Sequence, residues 1–187
     1  MKVILLPMCL IAFAAICFGQ SRNIVKPDLS GIWELDSGRS SVAKFGSNPE
    51  EIKITHHDPT LIIRHKVVIN GAPEERDLTY YTDGSGERNP ATDWFTANPG
   101  SNGFKRSDTA SKTTWNKDKL VTRSINRSYA GALIIDWEII DGLRLSSDGK
   151  TLTRTTRFVP RRVVTGDGVI GGGRPTDSKA VYKLISK

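Results

Sequence analysis

Cysteine is almost missing from this chain. Of 187 residues only Cys9 and Cys17 are cysteine. Beyond them there is no thiol for a disulfide framework or a thiolate zinc site, so stability must come from burial and backbone pairing. Histidine is equally scarce: His56, His57 and His65 are the whole supply. Adjacent His56 and His57 point to opposite faces of an extended strand. His56 and His65 share a face but stand roughly 7 to 13 Å apart at about 3.3 Å per residue. No metal and no cofactor is expected. A helical apolar period is also missing after residue 28, although 36–47 has room for a short helix. No basic block interleaved with aromatics exists, so nucleic acid is not an expected partner.

What is present begins with MKVILLPMCLIAFAAICFGQ. Lys2 precedes an uncharged run from Val3 to Phe18, and small or polar residues follow at Gly19, Gln20 and Ser21. This is the layout of a secretory signal peptide, expected over 1–19, with one domain over 20–187 and a periplasmic or secreted location. The apolar run is shorter than the roughly 20 residues of a membrane-spanning helix. Cys9 follows Met8 and Cys17 follows Ile16, not the small residues a lipidated cysteine would require. Without Lys2 the chain keeps 26 basic against 20 acidic residues, a balance of +6. That charge aids solubility and leaves room for an anionic envelope component as a partner.

The remaining sequence alternates. Leu29, Gly31, Trp33 and Leu35 share one face, as do Ile52, Ile54 and His56, and Leu61, Ile63, His65, Val67 and Ile69. Further strands are expected over 74–82, 107–115, 119–127, 132–146, 151–159 and 179–186, rich in Thr, Val, Ile and aromatic residues. Turn chemistry separates them at Asp58-Pro59, Asn70-Gly71, Asn116 to Asp118 and Asp148-Gly149. Successive hairpins of this kind predict an all-β, up-and-down antiparallel barrel of eight or nine strands. At Asp58-Pro59 a two-residue loop pairs Ile54 with Ile63 and Ile52 with His65. A loop one residue later pairs Ile54 with His65, on the same apolar face. In 119–127 the inward face is ambiguous: Leu120, Thr122, Ser124 and Asn126, or Val121, Arg123 and Ile125.

Alternation also sorts the connections. Those at 83–106, 128–131 and 160–178 fall with the Asp58-Pro59 turn. The turns at 70–73, 116–118 and 147–149, and the loop at 36–50, fall at the opposite end.

No catalytic set emerges, and the chain does not read as an enzyme. Gly166-Asp167-Gly168-Val169-Ile170-Gly171 has nucleotide-loop spacing without the helix that such a loop requires. Asp136 and Glu138 share a strand face at about 6.6 Å, a separation compatible with glycosidase carboxylates. A solvated outer face explains them better, with Leu133, Ile135, Trp137 and Ile139 turned inward. No Gly-x-Ser-x-Gly elbow exists. Two loops are more suggestive. Trp94, Phe95 and Phe104 stand among Asn, Pro, Gly and Ser, where they either cap the core or line a ligand mouth. Arg161, Arg162 and Arg174 either hold an anionic group or are simply solvated.

Leu29-Ser30-Gly31-Ile32-Trp33 is similar to the Gly-x-Trp opening of lipocalins. With the hairpin Leu145 to Thr153 it resembles small secreted bacterial lipocalin-like proteins of unknown function. The resemblance implies a barrel that holds a small, often apolar, molecule. It also implies that Trp33, after Gly31, packs under the barrel against an arginine of a late strand, Arg157 or Arg154. In lipocalins the first connection is a lid at the open end, which would put 36–50 there, opposite to the alternation argument. Other lipocalin signatures and the usual disulfides are missing. The expected function is therefore binding of a small apolar or amphipathic ligand, with Trp94, Phe95, Phe104, Arg161 and Arg162 as contacts. The alternative is an envelope-interaction protein acting through its basic surface.

Overall fold

The computed structural model describes residues 26–41, 48–69, 72–89, 105–106, 109–130 and 133–187. The strands are β1 (Gly31–Leu35), β2 (Glu51–His57), β3 (Thr60–Ile69), β4 (Ala72–Tyr81), β5 (Glu87–Asn89), β6 (Lys105–Arg106), β7 (Thr109–Asn116), β8 (Lys119–Ala130), β9 (Leu133–Leu145), β10 (Thr151–Thr165), β11 (Gly168–Gly171) and β12 (Thr176–Ser186). Among the described residues the only helical element is a 3-10 turn, Ser37–Arg39. No described helix is long and apolar enough to cross a membrane. The expected signal segment, 1–19, and both cysteines lie outside the described residues.

The sheet is antiparallel and runs β4-β3-β2-β1-β12-β10-β9-β8-β7-β5, with β11 beside β10 and β6 beside β8. It curls into a nearly closed barrel with ten strands around the ring, one or two more than alternation predicts. The unforeseen strand is β5, whose three residues are too few to show a period. β10 also runs on to Thr165 and pairs with β11, so part of the expected 160–178 loop is a hairpin. The first hairpin has the two-residue register, Ile54 opposite Ile63 and Ile52 opposite His65.

β5 also reverses the expected sorting of the connections. The stretch 83–106 crosses the barrel once more than alternation allows, so every later connection changes ends. The turns at 58–59, 117–118 and 146–150 share one end. The connections after β1, after β5 and after β11 leave from the other, together with the β3–β4, β8–β9 and β10–β11 turns. One rim is thus tight, and the other carries the long connections, including 36–50.

The tight end is packed with apolar side chains. Leu29, Trp33, Leu61, Leu152 and Tyr182 are fully buried, and Leu120, Leu143, Ile54 and Ile63 join the same cluster. Trp33 donates from Nε1 to the Leu29 carbonyl at 3.1 Å, which fixes the indole across the chain segment that enters β1. Gly31 is required at the start of this strand. Its φ is +148°, and a Cβ there would meet Leu184 Cδ1 at 2.7 Å and the Ser186 carbonyl at 3.0 Å.

Candidate functional site

Above the apolar floor the barrel interior becomes polar, and pairing explains why. The even residues of β8 and β10 and the odd residues of β9 share the inner face, as a two-residue period dictates. Leu120, Ser124 and Asn126 are buried while Ile125 is 72% exposed, which settles the ambiguity of β8 in favour of the polar inner face. Outward-facing Arg127 has a ready partner in Asp136 at 2.6 Å, and outward Arg123 in Glu138 at 3.4 Å. An inward β8 arginine would have neither.

A polar row crosses β7, β8, β9 and β10 at one height. Thr113 lies opposite Thr122, Thr122 opposite Asp141, and Asp141 opposite Thr156. The Thr113 and Thr122 hydroxyls are 2.8 Å apart. Thr156 Oγ1 donates to Asp141 Oδ1 at 2.8 Å. Arg154 donates from Nε to both Asp141 oxygens, at 3.0 and 2.9 Å, with both side chains almost completely buried. Two charges removed from water must find each other in this way, because an isolated buried charge is prohibitively costly.

The row influences its neighbours. Burial, and then the positive Arg154, push His65 down to about 4, so its imidazole is neutral. Burial pushes the Tyr182 phenol up to about 12. At the side of the row Glu87 accepts from Ser111 Oγ at 2.5 Å, Thr113 Oγ1 at 2.8 Å and the Tyr81 backbone N–H at 3.1 Å.

Nearer the long-connection rim the inner wall is mixed. Ile139 stands opposite both Ser124 and Phe158, and Trp137 opposite both Asn126 and Pro160. Phe158 and Ile139 are buried, and Trp137 packs against the core cluster. Asn126 is 2% exposed, and neither its amide oxygen nor its amide nitrogen finds a partner among the described residues.

Of the residues singled out from sequence, Trp94, Phe95 and Phe104 lie outside the described residues. Arg161 and Arg162 are exposed near the end of β10, not inside the barrel. Arg161 is the extra residue of a β-bulge and pairs with Glu138; Arg162 stands opposite Asp136. Arg174 is exposed in the segment before β12. Arg157 faces outward, 3.9 Å from Asp177, because the inward positions of β10 are Leu152, Arg154, Thr156 and Phe158. Asp136 and Glu138 lie on the outer face, covered by arginines to 15% and 16% exposure. Among the described residues no group of His, Cys, Asp or Glu could hold a metal ion.

The pairing of Asp141 with Arg154 is not among the expectations from sequence, which name Arg154 only as one of two arginines for Trp33, although a signal for it existed. Each is a charge at an inward parity position, of opposite sign, on the two arms of one hairpin. Along β3 and β4, a groove of about 440 Å³ is lined by Arg64, Glu75, Arg76 and Asp77. Arg64 grips Asp77 at 2.7 Å on the outer face, whereas Arg76, half-buried on the inner face opposite His65, grips Glu74 at 2.6 Å.

No family model, no curated protein and no solved structure matches this chain.

Proposed function

We propose that the protein binds a small amphipathic molecule inside the barrel, reached through the rim that carries the long connections. The observation that carries this reading is the change in the interior with height. The tight end is filled with apolar side chains, whereas the upper wall of β8, β9 and β10 sets Ser124 and Asn126 among Ile139, Phe158 and Trp137. A few polar groups among aromatic and aliphatic walls is the usual composition of a small-molecule site. Asn126 in particular meets no partner among the described residues, which a solid barrel has no reason to keep. On this reading the protein is a lipocalin-like carrier, not an enzyme, and acts in the periplasm or outside the cell, where residues 1–19 would direct it. Native mass spectrometry of protein taken gently from its host's envelope tests it, beside an extracted and refolded control. A discrete extra mass that disappears on extraction supports a carrier. Bare protein in both samples refutes it.

One observation favours a second reading, an envelope-interaction protein. Arg123, Arg127, Arg157, Arg161 and Arg162 share the outer surface of β8, β9 and β10 around the exposed Ile125. Asp136, Glu138 and Asp177 balance part of this charge. The second reading requires cosedimentation with anionic phospholipid vesicles that is abolished by about 0.5 M salt, where screening falls to a few ångströms.

A further inference from the structure

We propose that Asn126 is the polar contact of the barrel's ligand site, and that it takes a neutral amide edge, an N–H beside a C=O as in a lactam or cyclic imide. The ring that carries this edge lies beside Trp137. The inference rests on the small-molecule reading above and narrows it to a ligand class.

Three observations converge on it. The first is the state of Asn126 itself. It is 2% exposed, yet both its donor and its acceptor lack a partner among the described residues. A buried amide left in this condition is costly, and native proteins seldom keep one without a use. The donor and acceptor of an asparagine lie side by side in one plane, so a ligand group with the reverse arrangement satisfies both at once.

The second observation is a precedent within the same molecule. Asn89, also buried, meets exactly one residue's N–H and C=O. Its Oδ1 accepts from the Thr79 N–H at 2.8 Å, and its Nδ2 donates to the Thr79 carbonyl at 3.0 Å. An asparagine in this interior is therefore already matched to an amide edge, supplied there by a neighbouring strand. Asn126 is the same group without the strand.

The third observation concerns charge. Arg154 is the only buried arginine or lysine among the described residues, and its Nε is held by both oxygens of Asp141. His65 is neutral. Arg76, on the inner face of β4 opposite His65, is likewise held by Glu74 at 2.6 Å, so an anionic head would compete with a carboxylate for either cation, whereas a neutral head needs neither. Trp137, opposite Asn126, and Phe158, one inward position lower on β10, supply the apolar walls.

The test titrates the full chain with three compounds of one size, following tryptophan fluorescence and the side-chain amide resonance of Asn126. They are 3,4-dihydro-2-quinolinone, its N-methyl derivative, which lacks the donor, and tetralin, which has no polar edge. The lactam is expected to bind at least about tenfold tighter than the other two and to shift the Asn126 resonance. Asn126→Leu, checked for folding by circular dichroism, is expected to lose that preference and keep its affinity for tetralin. Asn126→Thr serves as the second variant, with the same expected loss. Equal affinities for the three compounds, or an unchanged lactam preference in both variants, overturns the amide contact and leaves the carrier reading standing. If none of the three binds, the inference falls, and the native mass of the host-derived protein then decides the carrier reading separately.

Discussion

Asn89 pairs with Thr79 as though it were a piece of strand. Its side-chain amide exchanges two hydrogen bonds with the N–H and C=O of one residue, the pattern that neighbouring strands normally make with backbone. Glu87 extends the contact by accepting from the Tyr81 N–H. The seam between β4 and β5 is thus closed by side chains, where the ring's other joins are backbone ladders.

The seam should therefore respond to one side chain. Asn89→Leu strands both Thr79 groups and is expected to cost about 1 to 3 kcal/mol. The specific signature is faster hydrogen exchange at Thr79 and Tyr81, with the β1–β12 amides unaffected. Unchanged exchange at Thr79 would show that the seam is held by something else.

Gly31 makes a second test. Gly31→Ala forces a methyl group into the Leu184 side chain and the Ser186 carbonyl at a positive φ. A loss of about 1 to 3 kcal/mol in urea denaturation is expected. Gly149 has φ +70° with nothing within 4 Å of where a Cβ would stand, so Gly149→Ala should cost only about 1 kcal/mol. Equal losses at the two sites would show that conformation alone, not the close approach, requires Gly31.

Asp141 and Arg154 form the third. Asp141→Leu alone leaves a buried guanidinium facing apolar groups and is expected to cost about 3 to 5 kcal/mol. Adding Arg154→Met should recover most of that loss, because the uncompensated charge is gone. A double variant no more stable than the single would mean that the polar row is needed for the fold itself.

His65 gives a pH signature. Its folded value is about 4 against 6.5 when unperturbed, so the unfolded chain binds the proton more readily. Its stabilisation is complete above about pH 6.5 and is lost as pH falls towards 4, by at most about 3 kcal/mol. His56 is also lowered, chiefly by burial, and acts in the same direction. In His65→Gln the fall in urea midpoint between pH 6.5 and 4.5 should be shallower than in the parent. An equal fall would assign the acid sensitivity to other groups.

The barrel was legible in the sequence where strands are long. In β2 and β3 the pattern Ile52, Ile54, His56 against Leu61, Ile63, His65 fixes both face and register, because a one-residue slip would turn every apolar side chain outward. β5 was not legible, since Glu87-Arg88-Asn89 reads as loop; its inward residues are polar and earn their burial from the partners they meet across the seam. That one short strand reversed the two ends. The interior site was half legible. Asn126 sits at an even position of β8, but choosing between its face and that of Ile125 required the arginine partners on β9, which lie nine to fifteen residues away in sequence. Arg161 and Arg162 belong to the outer surface because β10 continues past Pro160, whereas the strand expected from sequence ends at Val159.

The first and last strands are neighbours: Trp33 lies opposite Leu184 and Leu35 opposite Tyr182, in the middle of the sheet. β12 joins β1 to β10 only once it has paired with both. Until it does, β1 and β10 are both open edges, ready to pair with another chain. A partly folded form that lacks β12 is thus the one most exposed to aggregation, and a chaperone that shields strand edges would matter most for it.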